Sequence, residues 1–130
     1  MAGDREKTRS MPDLRNKRKG NYGETAAAGF LRAKGYEIHA QNYKRGGEID
    51  IVAKHRGYVV FVEVKYRKAF ANWLPVDAVT PAKQRQIIRA AQVYIAENGM
   101  HDADIRFDVI EVVGVEELEI NHIEDAFNVN

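Results

Sequence analysis

Cysteine is absent from the 130 residues, which excludes disulfides and thiolate metal sites and fits a reducing cytosol. No apolar run approaches the ~20 residues of a membrane span. The N-terminus carries no apolar stretch of the kind a secretory signal needs. Paired histidines are missing as well. His39, His55, His101 and His122 are scattered without His-x-x-x-His spacing, and suit surface or core positions better than a metal site. Internal repeats are lacking too. Net charge is only +1, but it is unevenly spread. Arg5, Lys7, Arg9, Arg15, Lys17, Arg18 and Lys19 outnumber Asp4, Glu6 and Asp13 near the start, whereas the chain turns acidic from Glu111 onward. A basic arm suits a polyanionic partner, with a solvated tail as the equal alternative. These absences lead to the expectation of a cytoplasmic protein with no membrane partner.

What remains is ordinary for a globular chain: 45% hydrophobic and 30% charged residues, enough for one domain with a core. Residues 1–20 have little periodicity and many charges and read as a basic, mobile tail, leaving 21–130 as a single domain. A helix is expected over 21–34, with Ala26, Ala27, Phe30 and Leu31 as its apolar stripe. Strands follow at 36–42, 48–54 and 58–66, then an irregular loop over 67–80 containing Phe70, Trp73 and Pro75. Thr80-Pro81 opens a second helix that Gly99 ends. Residues 106–113 read as a fourth strand and 118–123 as a short fifth. The order α-β-β-β-α-β-β implies an α/β fold, a mixed β-sheet flanked by helices. The second helix joins the meander to a parallel strand, with 48–54 and 58–66 at the centre.

The two central runs carry the chemistry. Arg56-Gly57 supplies a tight hairpin turn. If these are the two turn residues, His55 faces Tyr58, Ala53 meets Val60 and Asp50 meets Glu63. Directly opposed residues have Cβ atoms about 4.5–5.5 Å apart, and like charges so placed are destabilising. Two facing carboxylates usually have a divalent cation between them. The same register sets Glu48 opposite Lys65, with Ile49, Ile51, Val60, Val62 and Val64 on the other face. A bulge at the turn would undo this geometry, and a solvated charged hairpin is the plain alternative. Hard carboxylate oxygens suit Mg²⁺, which lowers the pKa of a bound water and stabilises charge on a phosphate. Lys65 projects from the same face as Glu63, where a cation would stabilise developing negative charge.

Asp50 with Glu63-Val-Lys65 on a hairpin, preceded by a helix bearing Glu24, resembles the PD-(D/E)xK nuclease superfamily, whose fold is called restriction endonuclease-like. More narrowly, Gly23-Glu-Thr-Ala-Ala, Gly47-Glu-Ile-Asp50, Phe61-Val-Glu-Val-Lys-Tyr-Arg67, Val79-Thr-Pro-Ala-Lys83, Arg106-Phe-Asp-Val and His122-Ile-Glu-Asp-Ala-Phe127 resemble the YraN family of predicted endonucleases. The likeness runs from Gly20 to Phe127. It implies Asp50, Glu63 and the Val64 backbone carbonyl as ligands of Mg²⁺ or Mn²⁺, with Lys65 as the catalytic lysine. It adds Glu24 as a further catalytic residue and candidate ligand, reaching down from the first helix as in archaeal Holliday-junction resolvases. Capping or the helix dipole is the plain alternative for Glu24, and only the resemblance favours the functional role. Ile49 stands where the superfamily's name has Pro. Ala90, four residues before Tyr94, lacks the Gln of the exonuclease branch, which favours an endonuclease. The implied partner is nucleic acid, DNA that is branched or structured, with a homodimer left open. A non-cleaving nucleic-acid-binding adaptor is the alternative.

Lys44, Arg45, Arg67, Lys68 and Lys83 are candidate phosphate contacts, although for Lys83, Arg85 and Arg89 a solvated helix face is the favoured reading. Asp108, on a strand between apolar neighbours, reads as structural. Phe70 and Trp73 fit a core plug, a dimer contact or a base-stacking surface alike.

Overall fold

The structure, a computed structural model, describes residues 5–7, 19–68 and 79–129. In chain order the elements are β1 (Arg5–Lys7), α1 (Lys19–Ala33), β2 (Glu37–Tyr43), β3 (Ile49–His55), β4 (Tyr58–Arg67), α2 (Pro81–Glu97), β5 (Asp104–Val113) and β6 (Glu117–Phe127). From α1 onward this is the expected α-β-β-β-α-β-β sequence of an α/β fold. Of residues 1–20, those at 1–4 and 8–18 lie outside the described set, as do Phe70, Trp73 and Pro75. Residues 5–7 pair antiparallel with β6, Arg5 opposite Glu119.

The strands form one mixed sheet in the order β1-β6-β5-β4-β3-β2. β4 and β5 run parallel, Tyr58 to Arg67 against Asp104 to Val113, and α2 carries the chain between them. β4 is central as expected. β3 is not: it lies second from the edge, because β5, β6 and β1 all add on the far side of β4.

Alternation along the strands builds two cores. Ile51, Ala53, Val60, Val62, Ile110 and Val112 pack with Ala27, Phe30 and Leu31 of α1. Val52, Val59, Phe61, Phe107 and Val109 pack with Ile87, Ala90, Ala91 and Tyr94 of α2. Ile49 departs from the expected pattern. It joins the α2 core rather than lying beside Ile51, so alternation slips by one residue between Ile49 and Val52, with Asp50 at the slip.

The turn chemistry works as the sequence suggests. Arg56 and Gly57 both have positive φ, 52° and 86°, the backbone twist a two-residue hairpin requires. Thr80 caps α2, its Oγ1 accepting from the Lys83 amide at 3.1 Å, and Pro81 occupies the first turn where no donor is lost. β6 is longer than its reading of 118–123. An irregularity opposite Phe107 and Val109, with Asp125 at φ 54°, breaks the alternation that would have revealed its last residues. Among the described residues no helix is long and apolar enough to cross a membrane.

Candidate active site

The β3–β4 ladder runs His55↔Tyr58, Ala53↔Val60 and Ile51↔Val62. The paired ladder ends there, and Asp50 and Glu63 lie just beyond its last pair. The two carboxylates stand within hydrogen-bonding reach of each other, and the Val64 amide donates to Asp50 Oδ2 at 2.8 Å. Asp50 is half-buried and Glu63 only 5% exposed.

Glu24 comes to the same place from the opposite helical layer. It is buried at 6% exposure and reaches both Asp50 and the Asn42 side chain. Asp50 is thereby shared between Glu63 of β4 and Glu24 of α1. α1 begins at Lys19, two residues earlier than its periodicity suggests, which moves Glu24 into the second turn. The dipole fades beyond the first turn, so capping no longer accounts for an acid there.

Electrostatically the cluster is strained. Burial, followed by the Asp50 charge, pushes the Glu63 carboxyl up to about 7, with Lys83 and Lys65 only partly opposing the rise. Glu24 is also pushed up to about 7, first by burial and then by Asp50. Asp50 is raised by burial against the pull of the Val64 amide and Lys83. Acids desolvated beside one another are typical of sites made to bind a cation or hold a proton.

Two ammonium groups flank Glu63 Oε2, Lys65 Nζ at 3.7 Å and Lys83 Nζ at 3.9 Å. Lys83 also lies 4.0 Å from Glu48, which pairs with Lys44 at 3.8 Å. The anticipated Glu48–Lys65 cross-strand pairing therefore gives way: Glu48 turns to Lys44 and Lys83, and Lys65 to its own strand neighbour. Lys83, for which the sequence alone favours a solvated helix face, is a member of the cluster. Its signal was its position, the third residue of α2 behind Thr80-Pro81, but only the docking of α2 gives that position meaning. Asn42, with φ 55°, carried no signal in a loosely alternating strand.

Gly47 sets how closely α2 approaches. A Cβ there would fall 2.2 Å from the Gln86 carbonyl oxygen, so the loop entering β3 lies directly against the α2 backbone. This contact holds Glu48 and Asp50 beside Lys83.

The remaining basic candidates are placed differently. Arg45 pairs with Glu97 at 2.9 Å, tying the β2–β3 loop to the end of α2. Arg67 faces buried Glu111 at 4.0 Å, and Lys68 is exposed. The histidines stay out of the cluster: His39 lies 3.5 Å from Glu37, His55 stacks on Tyr36, and His122 bonds Asp108.

No group of three or more His, Cys, Asp or Glu side chains among the described residues is arranged to hold a metal ion. Mg²⁺ does not need one, because it is commonly held by one or two carboxylates and keeps several waters. The facing Asp50 and Glu63 oxygens, whose mutual repulsion a cation would relieve, fit that requirement.

A mixed sheet flanked by helices, with Asp50 and Glu63-x-Lys65 on one hairpin, defines a protein of the PD-(D/E)xK class. Within it the chain belongs to the family described as Uncharacterised protein family UPF0102, the YraN family, whose sequence model matches residues 23–112. Among similar proteins, a UPF0102 protein of Syntrophotalea carbinolica is 46% identical over 85% of this chain and 92% of its own length. One of Clostridioides difficile is 44% identical over 88% of this chain and 100% of its own. A third, of Trichlorobacter lovleyi, is 46% identical over 87% and 92%.

Proposed function

We propose that this chain is a divalent-metal-dependent endonuclease of the cytoplasm, hydrolysing phosphodiester bonds in DNA, with branched or structured DNA in repair or recombination as its substrate. The observation that carries the reading is the pairing of half-buried Asp50 with buried Glu63, whose repulsion helps no fold, with Lys65 Nζ 3.7 Å from Glu63. Asp50, Glu63 and the Val64 carbonyl would hold Mg²⁺ or Mn²⁺. When bound, the ion supplies Lewis-acid chemistry at the scissile phosphate and makes water a better nucleophile.

The chain's own groups do the rest. The Val64 amide fixes the orientation of the Asp50 carboxylate. Lys65 offers a positioned cation to the charge that grows on the phosphate in the transition state, where such a donor counts most. Glu24 reaches Asp50 from α1 and can hold a proton near neutral pH, the range a general acid or base needs. Lys44 and Lys68 are the outlying candidates for substrate contact. A surface pair such as Lys44–Glu48 is worth little, so its ammonium can turn to a DNA phosphate at small cost.

The test is a panel of branched, flapped, single-stranded and duplex DNA with Mg²⁺ or Mn²⁺, followed by Lys65→Ala. Losing one such donor typically costs ~10²–10³ in rate. The variant should therefore slow single-turnover cleavage by that factor while DNA affinity in Ca²⁺ stays unchanged. Weakened binding with an intact bound-state rate would make Lys65 a phosphate clamp. No turnover by the wild type on any substrate would leave the non-cleaving adaptor.

A further inference from the structure

Lys83 has an unusual position for a helix residue in a first turn. Its ammonium lies between two carboxylates, one from the β2–β3 loop and one from β4, 4.0 Å from Glu48 Oε1 and 3.9 Å from Glu63 Oε2, on a side chain only 30% exposed. Lys65 approaches the same Glu63 oxygen at 3.7 Å. Lys65 belongs to the same strand as Glu63 and travels with it. Lys83 comes from a separate element, and α2 is brought to the cluster by the Gly47–Gln86 backbone contact. The cluster thus has one cation built into its hairpin and another delivered by the crossover helix.

We propose that Lys83 is a resident counter-ion of the metal-free site: it neutralises Glu63 until a divalent cation takes that role, and so competes with the cation for the same carboxylate. This rests on the metal-site reading above and adds to it a residue that sets metal affinity. At separations near 4 Å a unit charge in a partly buried setting interacts strongly with its neighbours. A cation approaching Glu63 must therefore either accept repulsion from Lys83 or displace it. A lysine is suited to yield, since its ammonium sits on a flexible four-carbon stem, and Glu48 remains as a partner toward the solvent side. The ammonium released from Glu63 is then free for an anionic oxygen of the substrate. Metal occupancy and substrate binding become linked through one side chain.

The proposal has a readout independent of cleavage. Mg²⁺ binding to the full chain is measured by calorimetry for the wild type, Lys83→Gln and Lys83→Arg, alongside thermal melting with and without Mg²⁺. Lys83→Gln should bind Mg²⁺ roughly tenfold more tightly, and Lys83→Arg, which keeps the charge, should bind about as the wild type does. Without metal, Lys83→Gln should melt below the wild type at pH 8, and saturating Mg²⁺ should close that gap. Equal or weaker Mg²⁺ affinity in Lys83→Gln, or a melting deficit that Mg²⁺ leaves in place, would overturn the counter-ion role and mark Lys83 as a structural pair. In that case the metal site itself would stand. A wild type that binds no divalent cation would bring down both proposals together.

Discussion

Two buried acids on neighbouring strands, Asp108 of β5 and Glu63 of β4, are solved in opposite ways. Asp108 is fully buried and accepts from Arg106 Nε at 2.9 Å, from a second Arg106 nitrogen at 2.9 Å and from the Asp125 amide at 3.0 Å, while His122 Nε2 lies at 2.7 Å. Burial alone would raise this carboxyl, but the His122, Arg106 and Asp125 hydrogen bonds outweigh it and hold the group below its ordinary value. Glu63 is equally removed from water, yet its nearest charges are a second carboxylate and two lysines at 3.7 and 3.9 Å. Its carboxyl rises to about 7. Asp108, held by fixed donors, belongs to the architecture, whereas Glu63, set beside a second acid and two lysines, is poised to take a cation.

The largest expected effect that would break this contrast is on Asp108. Asp108→Ala strands the Arg106 guanidinium, only 14% exposed, without its carboxylate. Removing one member of a buried pair costs about 3–5 kcal/mol, measurable by urea unfolding; a cost under ~1 kcal/mol would show the network to be idle.

Next comes pH. Glu63 and Glu24, raised from 4.5 to about 7 in the fold, bind protons more tightly folded than unfolded. Their contribution is full below pH 4.5 and is lost as pH rises through 7, on the order of 3 kcal/mol for each group. Asp108, lowered in the fold, acts with the opposite sign: its stabilisation is present above the ordinary carboxylate range and lost in acid. Metal-free stability should therefore peak near the foot of the Glu63 transition and decline toward neutrality. Saturating Mg²⁺ should abolish the decline. A profile flat from pH 5 to 8 without metal would contradict the strain assigned to the cluster.

The smallest effect is the sharpest in sign. Glu63→Gln should raise metal-free stability at pH 8 by about 1–2 kcal/mol, since it removes a buried charge and its repulsion with Asp50. A loss of stability would mean that Glu63, like Asp108, serves the fold.

The two regions also differ in how far the chain foretells them. Asp50, Glu63 and Lys65 were legible because a two-residue turn at Arg56-Gly57 fixes register locally, and register fixes who faces whom. The order of elements was legible from periodicity and from Thr80-Pro81. The Asp108 network was not, because Tyr36, Arg106 and His122, which meet there, come from three separate strands or loops. Lys83 was ambiguous for the same reason: its neighbours depend on where a crossover helix lands. Ile49 was misassigned because the slip at Asp50 interrupts the alternation on which the facing argument relied.

The parallel β4–β5 pairing has a consequence in time. Asp50 and Glu63 lie on a hairpin, a unit that closes in about 1–10 μs. Lys83 reaches them only after α2 has carried the chain across, and such non-local pairing forms slowly. During folding the carboxylates thus meet before the lysine of α2 arrives. A divalent ion captured by the bare hairpin would speed folding, whereas one that needs the completed site would only slow unfolding. The two limbs of a chevron recorded with and without Mg²⁺ would tell whether the proposed metal site is assembled first or last.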